Sequence, residues 1–135
     1  MILRVQDSRG RGPWRPGLSS QWCDNNRDFG LPAIFVDLPD FSRIVQRAYQ
    51  CGLHFGCATR QERFCDWFTP REQARLAVLG FHVADASRAE ILAETINQVL
   101  IGSPRPLWKL PRVSFPGDPP PPLSPAAKPK SGEGR

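Results

Sequence analysis

The first apolar group of the chain predicts a strand that leads into a loop. Ile2, Leu3 and Val5 surround a single arginine and are typical of a short strand over residues 2–6. The stretch RGRGPWRPG at residues 9–17 has three glycines and two prolines, and no regular element tolerates so many breakers. A strand followed by an arginine-rich loop is therefore expected.

The next apolar positions predict a strand, a helix and a second strand. The run at 33–36 indicates a brief strand, and Asp40 is a plausible N-cap for a helix over 41–50 that Gly52 ends. A further strand is predicted over 53–58. The apolar positions of the helix, which share one face, are Phe41, Ile44, Val45, Ala48 and Tyr49.

Two capping-box patterns follow, and each predicts the start of a short helix. Thr59 and Thr69 each precede a glutamate by three positions, which lets a side chain and a backbone amide satisfy each other reciprocally. An aromatic stripe follows the first box, Pro70 occupies the first helical position after the second, and Gly80 can close that helix in a left-handed cap. We expect two helices that meet at Thr69.

The segment after Gly80 has two interpretations. A strand is predicted over 81–84, then a short helix over 88–93 and a strand over 96–101. The alternative is one long helix, because Leu92, Ile96, Val99 and Leu100 are also at helical spacing.

These elements predict one α+β domain over 1–115, in which a small mixed or antiparallel sheet is covered by three to four short helices. Residues 116–135 contain one leucine and no aromatic residue, so we expect a disordered proline-rich tail.

The formal net charge of +5 is spread over the chain, with +1 of it in the tail. Nucleic-acid binders usually concentrate their charge more strongly, so a host or phage protein is the preferred partner and nucleic acid the weaker alternative. No apolar run is long enough to span a membrane and no signal peptide is visible, which predicts a cytoplasmic protein with reduced cysteines. No cofactor and no membrane partner are expected.

Cysteine and histidine suggest two further chemistries. Cys51, His54, Cys57 and Cys65 are residue types that zinc prefers, which makes a small zinc module an alternative. The spacing differs from that of fingers and ribbons, and a strand would send His54 and Cys57 to opposite faces. A cysteine nucleophile activated by His54 or His82 is a second possibility, but both histidines lie in predicted strands.

The loop at 9–17 is the preferred place for ligand contact. Arginine and tryptophan, here Trp14 and Arg15, can hold a phosphate and stack on a base, whereas in the simpler interpretation Trp14 folds back onto the core. No P-loop, GxGxxG, HExxH or GxSxG motif is present, which argues against standard NTPases, dinucleotide-dependent oxidoreductases and hydrolases.

Three blocks of the sequence resemble small phage and prophage proteins of unassigned function. The opening of the chain, ILRVQDSRGRGPWR, resembles their opening pattern YRV…GxGP(Y/W)R. The middle block at 54–83 resembles their GFxS, WF and GFxV elements, and the segment INQVLIG is similar to their closing QVVF strand. The resemblance covers most of residues 1–102 and implies an accessory protein that binds a host or phage macromolecule without catalysis.

The order of an arginine, a hydroxyl residue and a late polar residue also resembles the ADP-ribosyltransferase fold. The resemblance implies that Arg4 contacts an NAD phosphate, that Thr59 helps to shape the nicotinamide pocket and that Gln98 takes the place of the catalytic glutamate. Here one hydroxyl replaces the family's three, and neutral Gln98 cannot offer a negative charge to a cationic transition state. The alternative function is therefore an NAD-like nucleotide-binding or transferase-like domain with a degenerate active site.

The nucleotide hypothesis makes a geometric prediction. Arg4 and Gln98 should meet at the mouth of one polar pocket, although most of the folded chain separates them. The candidate ligand-binding residues are Arg4, Trp14, Arg15, His54, Thr59 and Gln98, with Gln98 as the candidate catalytic position.

Overall fold

The structure is a computed structural model, and it describes residues 1–14 and 31–117. The candidate ligand residue Arg15 and all but the first two residues of the predicted tail lie outside these ranges. The described elements, in chain order, are β1 (Ile2–Gln6), α1 (Ile34–Asp37), α2 (Phe41–Gln50), β2 (His54–Arg60), α3 (Phe64–Trp67), α4 (Pro70–Val78), β3 (His82–Asp85), β4 (Glu90–Glu94), β5 (Val99–Ser103) and β6 (Arg112–Val113), with single 3₁₀ turns at Gln61–Arg63 and Leu107–Lys109.

The strands form one antiparallel sheet in the order β4-β5-β2-β1-β3-β6, and the helices complete an α+β fold, as the sequence predicts. β1 occupies the interior of the sheet, and all five of its residues are buried. It pairs with β3 over four residues, Leu3–Gln6 against His82–Asp85, but with β2 only through Ile2–Arg60 and Leu3–Thr59. β1 and β2 therefore separate after Leu3.

Apolar side chains pack on both faces of this sheet. Leu3 and Val5 of β1 point to the face covered by α3 and α4, whereas Ile2 points to the other face, since alternate strand residues point to opposite sides. The core on the first face also contains Phe64, Trp67, Phe68, Leu76, Phe81 and Val83. The core on the second contains Ala58, Ala86, Val99, Ile101 and Leu107.

The local signals around α4 are confirmed. Thr69 Oγ1 accepts a hydrogen bond from the Glu72 amide at 3.2 Å, and the Glu72 carboxylate accepts one from the Thr69 amide at 3.0 Å. Pro70 begins the helix, and Gly80 follows its end with φ of +95°, a conformation that favours glycine.

Three predicted elements are wrong because tertiary contacts override a local pattern. Residues 33–36 belong to the helical turn α1 instead of a strand, and the Asp37 carboxylate at its end accepts hydrogen bonds from Thr95, Asn97 and Gln98. Thr59 pairs within β2 and makes no capping box.

The third error is the helix at 88–93, where the structure has strand β4. The strand pairs with β5 through a hairpin in which Thr95 Oγ1 accepts hydrogen bonds from the amides of Asn97 and Gln98. The predicted strand at 96–101 accordingly begins later, at Val99, because residues 95–98 form this turn.

In the described part of the chain, no helix combines the length and the apolar character that a membrane crossing requires.

Candidate functional site

The Arg4 side chain is buried and bonded to protein at each of its three nitrogens. It is 5% exposed, and it donates from Nε to Gln6 Oε1 (3.0 Å), from Nη1 to the Cys57 carbonyl (2.8 Å) and from Nη2 to the Gly10 carbonyl (2.8 Å). The guanidinium thus bridges β1 and β2 where the two strands separate. Burial lowers the pKa of Arg4 below its usual value, but the group remains a cation because arginine titrates far above neutral pH.

Gln98 is equally buried, but its side chain is bonded to different elements. It is 5% exposed, and its Nε2 donates to the Pro32 carbonyl (3.1 Å) and to Asp37 Oδ2 (3.0 Å). The amide therefore ties the start of β5 to α1. These bonds give Gln98 a structural role that its position at a strand end did not reveal.

The expected pocket between Arg4 and Gln98 is not formed. Arg4 lies on the same face of the sheet as Ile2, since the two residues are two positions apart in β1. Val99 of β5 also points to that face. Gln98 is the residue before Val99, so its side chain lies on the opposite face of the sheet. The cavity that both residues border has a volume of about 10 Å³, room for about one water, and Phe64, Trp67 and Phe68 supply much of its lining. The predicted polar cleft is replaced by packed aromatic rings.

Trp14 and Thr59 border the same small cavity. The Trp14 ring lies 6.0 Å from the Trp67 ring and 6.1 Å from the Phe68 ring, so the simpler interpretation, in which Trp14 folds back onto the core, describes the structure. Thr59 is buried, and its hydroxyl donates to the Arg60 carbonyl at 3.3 Å.

The structure does not support the zinc alternative. Cys51 and Cys65 are exposed on different helical segments, and His54 and Cys57 point to opposite faces of β2. Within residues 1–14 and 31–117, no group of three or more histidine, cysteine or acidic side chains could hold a metal. Burial raises the pKa of the Cys57 thiol to about 11, so this cysteine is protonated at neutral pH and a poor nucleophile.

The His54 side chain, by contrast, belongs to an open groove. We call it the Trp108 groove, and it has a volume of about 470 Å³. Its lining residues are Arg9, Gly10, Tyr49, Leu53, His54, Phe55, Pro106, Leu107 and Trp108. The loop after β1, the end of α2, the start of β2 and the Leu107–Lys109 turn each supply part of its wall. It has the size of an ordinary ligand site.

The Trp108 groove combines exposed aromatic rings with positive charge. Tyr49 is 76% exposed and Trp108 50%, although large rings usually pack inside. Arg9 lines the groove, Lys109 Nζ lies 5.3 Å from the Trp108 ring centroid, and no carboxylate is among the described lining residues. Such a surface suits a ligand that has both a flat ring and a negative charge.

The buried Arg4 side chain holds one wall of this groove. Its bond to the Gly10 carbonyl fixes the loop that carries Arg9. The same loop is closed by Asp7, whose carboxylate accepts hydrogen bonds from the amides of Arg9 (2.8 Å) and Arg11 (3.0 Å). Gly10 has φ of +83°, and a Cβ there would lie 3.0 Å from the Trp108 amide nitrogen.

Gln6 holds the adjoining wall, which the Leu107–Lys109 turn provides. Its Nε2 donates to the Leu107 carbonyl at 2.8 Å, and its Oε1 accepts from Arg4. Leu107 begins the 3₁₀ turn that presents Trp108. The buried pair Arg4–Gln6 therefore connects both walls through a continuous chain of hydrogen bonds, which limits their relative motion.

A second groove on the other side of α2 lacks this character. It has a volume of about 340 Å³ and is lined by Arg43 and Arg47 of α2 and by Glu90 and Ile91 of β4, among others. Arg43 is already paired with Asp40 at 2.7 Å, and Glu90 adds a negative charge. Its charges therefore offset one another in part.

Sequence reasoning identified the loop at 9–17 and His54 but missed Tyr49 and Trp108. Tyr49 shares the apolar face of its helix in the sequence pattern, yet its ring is exposed and lines the groove. The segment Arg105–Lys109, in which a tryptophan lies between two cations, contained the missing signal.

Comparison of the chain with protein-family models, with curated proteins and with solved structures found no match. The function must therefore be inferred from the site itself.

Proposed function

We propose that this chain is a non-catalytic binding module that contacts an anionic macromolecule through the Trp108 groove. The observation that supports the proposal best is the combination of two exposed rings and a cation with the absence of any carboxylate among the described lining residues. The role fits the accessory proteins of phage and prophage type that the sequence resembles.

Rigidity of the groove supports a binding role. Both walls are fixed to buried side chains, one through Arg4 and Gly10 and the other through Gln6 and Leu107. A preformed site loses less conformational entropy when it binds its ligand than a loop that must first become ordered.

The groove offers little to a catalytic mechanism. The nearest carboxylate in its supporting loop, Asp7, accepts bonds from two amides and lies 3.5 Å from Arg11 Nε. The backbone carbonyl of Cys57 accepts a hydrogen bond from Arg4, and burial raises the pKa of the Cys57 thiol, so the thiol stays protonated. Neither group is arranged as a nucleophile next to a base.

The NAD-like alternative receives no support from the described residues. The Arg4 nitrogens are engaged with protein acceptors, the Gln98 amide is bonded to Pro32 and Asp37, and the cavity between them has no room for a nucleotide. We do not propose it.

The proposal can be tested by site-specific photo-crosslinking in lysate. A crosslinking amino acid placed at Trp108 should capture a partner that the same group at Val78 does not, because Val78 is 86% exposed on α4, on the other face of the sheet. Arg9→Gln should reduce the yield at position 108, whereas the same change at exposed Arg71 should leave it unchanged. Equal yields at positions 108 and 78, or no product at 108, would contradict the proposal.

A further inference from the structure

We infer that the occupant of the Trp108 groove is single-stranded nucleic acid, whose bases stack on Trp108 and Tyr49 and whose phosphates meet Arg9, Arg105 and Lys109. The inference rests on the proposed function, because it names the class of macromolecule that the same groove binds. It is independent of the ADP-ribosyltransferase resemblance, which concerned Arg4, Thr59 and Gln98, because none of these three residues lines the groove.

The exposed rings of Trp108 and Tyr49 indicate that the ligand contains flat groups that can stack on them. Every base has a π-face, so stacking on an exposed aromatic side chain is a means of binding unpaired nucleotides without reading their sequence. Trp108 and Tyr49 contribute to the same groove from two different elements and are each at least half exposed. Bases inside a duplex are already stacked on one another and cannot use such rings without unstacking.

The cationic side chains near the groove indicate that the ligand also carries negative charge. Arg9 lines the groove, Arg105 and Lys109 flank the lining residue Trp108 in the chain, and all three are exposed. No ion pair joins any of the three to a carboxylate of the described residues, whereas Asp7, the acid closest to Arg9 in the chain, is already paired with Arg11. A mononucleotide carries phosphate at one position only, but successive phosphates of a strand can meet cations on both walls.

An acidic peptide would satisfy the positive charge but not the rings. Carboxylates of a peptide pair with arginine and lysine, but they supply no aromatic ring to stack on the exposed parts of Trp108 and Tyr49. Nucleic acid supplies both features in each repeating unit, which is why we favour it over a protein partner for this surface.

The test is fluorescence anisotropy with the full chain and a labelled oligothymidylate of about twelve nucleotides. Binding should be detectable at about 50 mM salt and should weaken roughly 20-fold at about 200 mM, since three phosphate contacts to a single strand give a slope near −2 in a logarithmic plot. Trp108→Ala should weaken binding about 10-fold or more, and Arg9→Gln should weaken it and reduce the salt slope by about 0.7.

Matched controls separate these effects from unfolding. Arg71→Gln makes the same charge change on exposed α4 and should leave the affinity unchanged, and thermal unfolding of each variant will show whether it remains folded. A twelve-pair duplex and thymidine monophosphate serve as competitors, and each should compete at least about 10-fold more weakly than the unlabelled strand.

Three outcomes would overturn the inference: no binding of the oligothymidylate at about 50 mM salt, equal losses for Arg9→Gln and Arg71→Gln, or stronger competition by the duplex or the monophosphate. If the oligothymidylate does not bind but position 108 still crosslinks to a protein, the groove function stands and the nucleic-acid assignment fails. If neither is observed, both proposals fail.

Discussion

Gly56 provides the space that the Arg4 guanidinium occupies. A Cβ at position 56 would lie 2.6 Å from Arg4 Nη1 and 2.7 Å from Arg4 Cζ, distances at which the guanidinium would have to move. Since that guanidinium crosses between β1 and β2 to the Cys57 carbonyl, the glycine and the arginine together determine how the two strands separate.

Gly56→Ala should therefore destabilise the fold by about 1–3 kcal/mol, the usual cost of overpacking a well-packed site. The cost should fall in an Arg4→Ala background, where the two closest contacts are gone and the contact with Leu107 Cδ1 at 3.0 Å remains. Urea unfolding of the two single variants, the double variant and the parent gives the coupling energy. Equal costs in both backgrounds would show that the glycine serves another purpose.

Replacement of Arg4 itself tests the network that holds the groove. Arg4→Met keeps the side-chain length but leaves the Gly10 and Cys57 carbonyls without their donor, and we expect a loss of about 2–5 kcal/mol in the free energy of unfolding. Arg71→Met, on the exposed part of α4, should cost less than about 0.5 kcal/mol.

The same variant should also loosen the loop after β1. Limited trypsin digestion under native conditions should cleave Arg4→Met faster at Arg9 and Arg11 than the parent, because the bond to the Gly10 carbonyl is lost. A digestion pattern that is accelerated uniformly along the chain would indicate global unfolding instead of a specific effect on the groove wall.

The three described cysteines should differ in reactivity. With a thiol pKa of about 11, Cys57 is about one-thousandth thiolate at pH 8, so iodoacetamide should leave it largely unmodified while exposed Cys51 and Cys65 react. Mass spectrometry of peptides resolves the three sites. Modification of half-buried Cys57 at the rate of Cys51 would contradict the raised pKa of its thiol.

Asp85 should contribute to the pH dependence of stability. Hydrogen bonds from the Ser87 hydroxyl and amide hold the pKa of this carboxyl below its usual value, so its contribution is present above the unfolded pKa of about 4 and is lost as the pH falls below it. Asp85→Asn should cost no more than about 1 kcal/mol at pH 7, because solvent screens the group, and the difference from the parent should shrink toward pH 2. A difference that grows as the pH falls would contradict this assignment.

Local signals predicted what local interactions determine. The cap at Thr69 and the left-handed glycine at Gly80 involve residues within a few positions of one another, so a single sequence contains the whole cause. Strand β1 was equally clear from the sequence, because three of its five residues are apolar and none is a typical turn residue. None of these predictions needed knowledge of a distant segment.

The candidate site depended on register, which a single sequence does not contain. Arg4 and Gln98 were expected to face one another, but β5 is set against β2 with Val99 opposite Ala58, and this places Gln98 on the far face. Tyr49 likewise belongs to the apolar face of α2 in the sequence pattern, yet it is 76% exposed in the fold. The groove residues were thus present in the sequence but could not be assembled from it.

The interior position of β1 has a consequence for how the chain is made. Arg4 and its acceptor Cys57 are 53 residues apart in sequence, and Gln6 and Leu107 are 101 apart. β1 is synthesised before the two strands with which it pairs, so its apolar residues stay unpartnered until β2 and β3 have followed. Folding that depends on such long-range pairing is slow, and an apolar strand that is still unpaired exposes surface that favours aggregation.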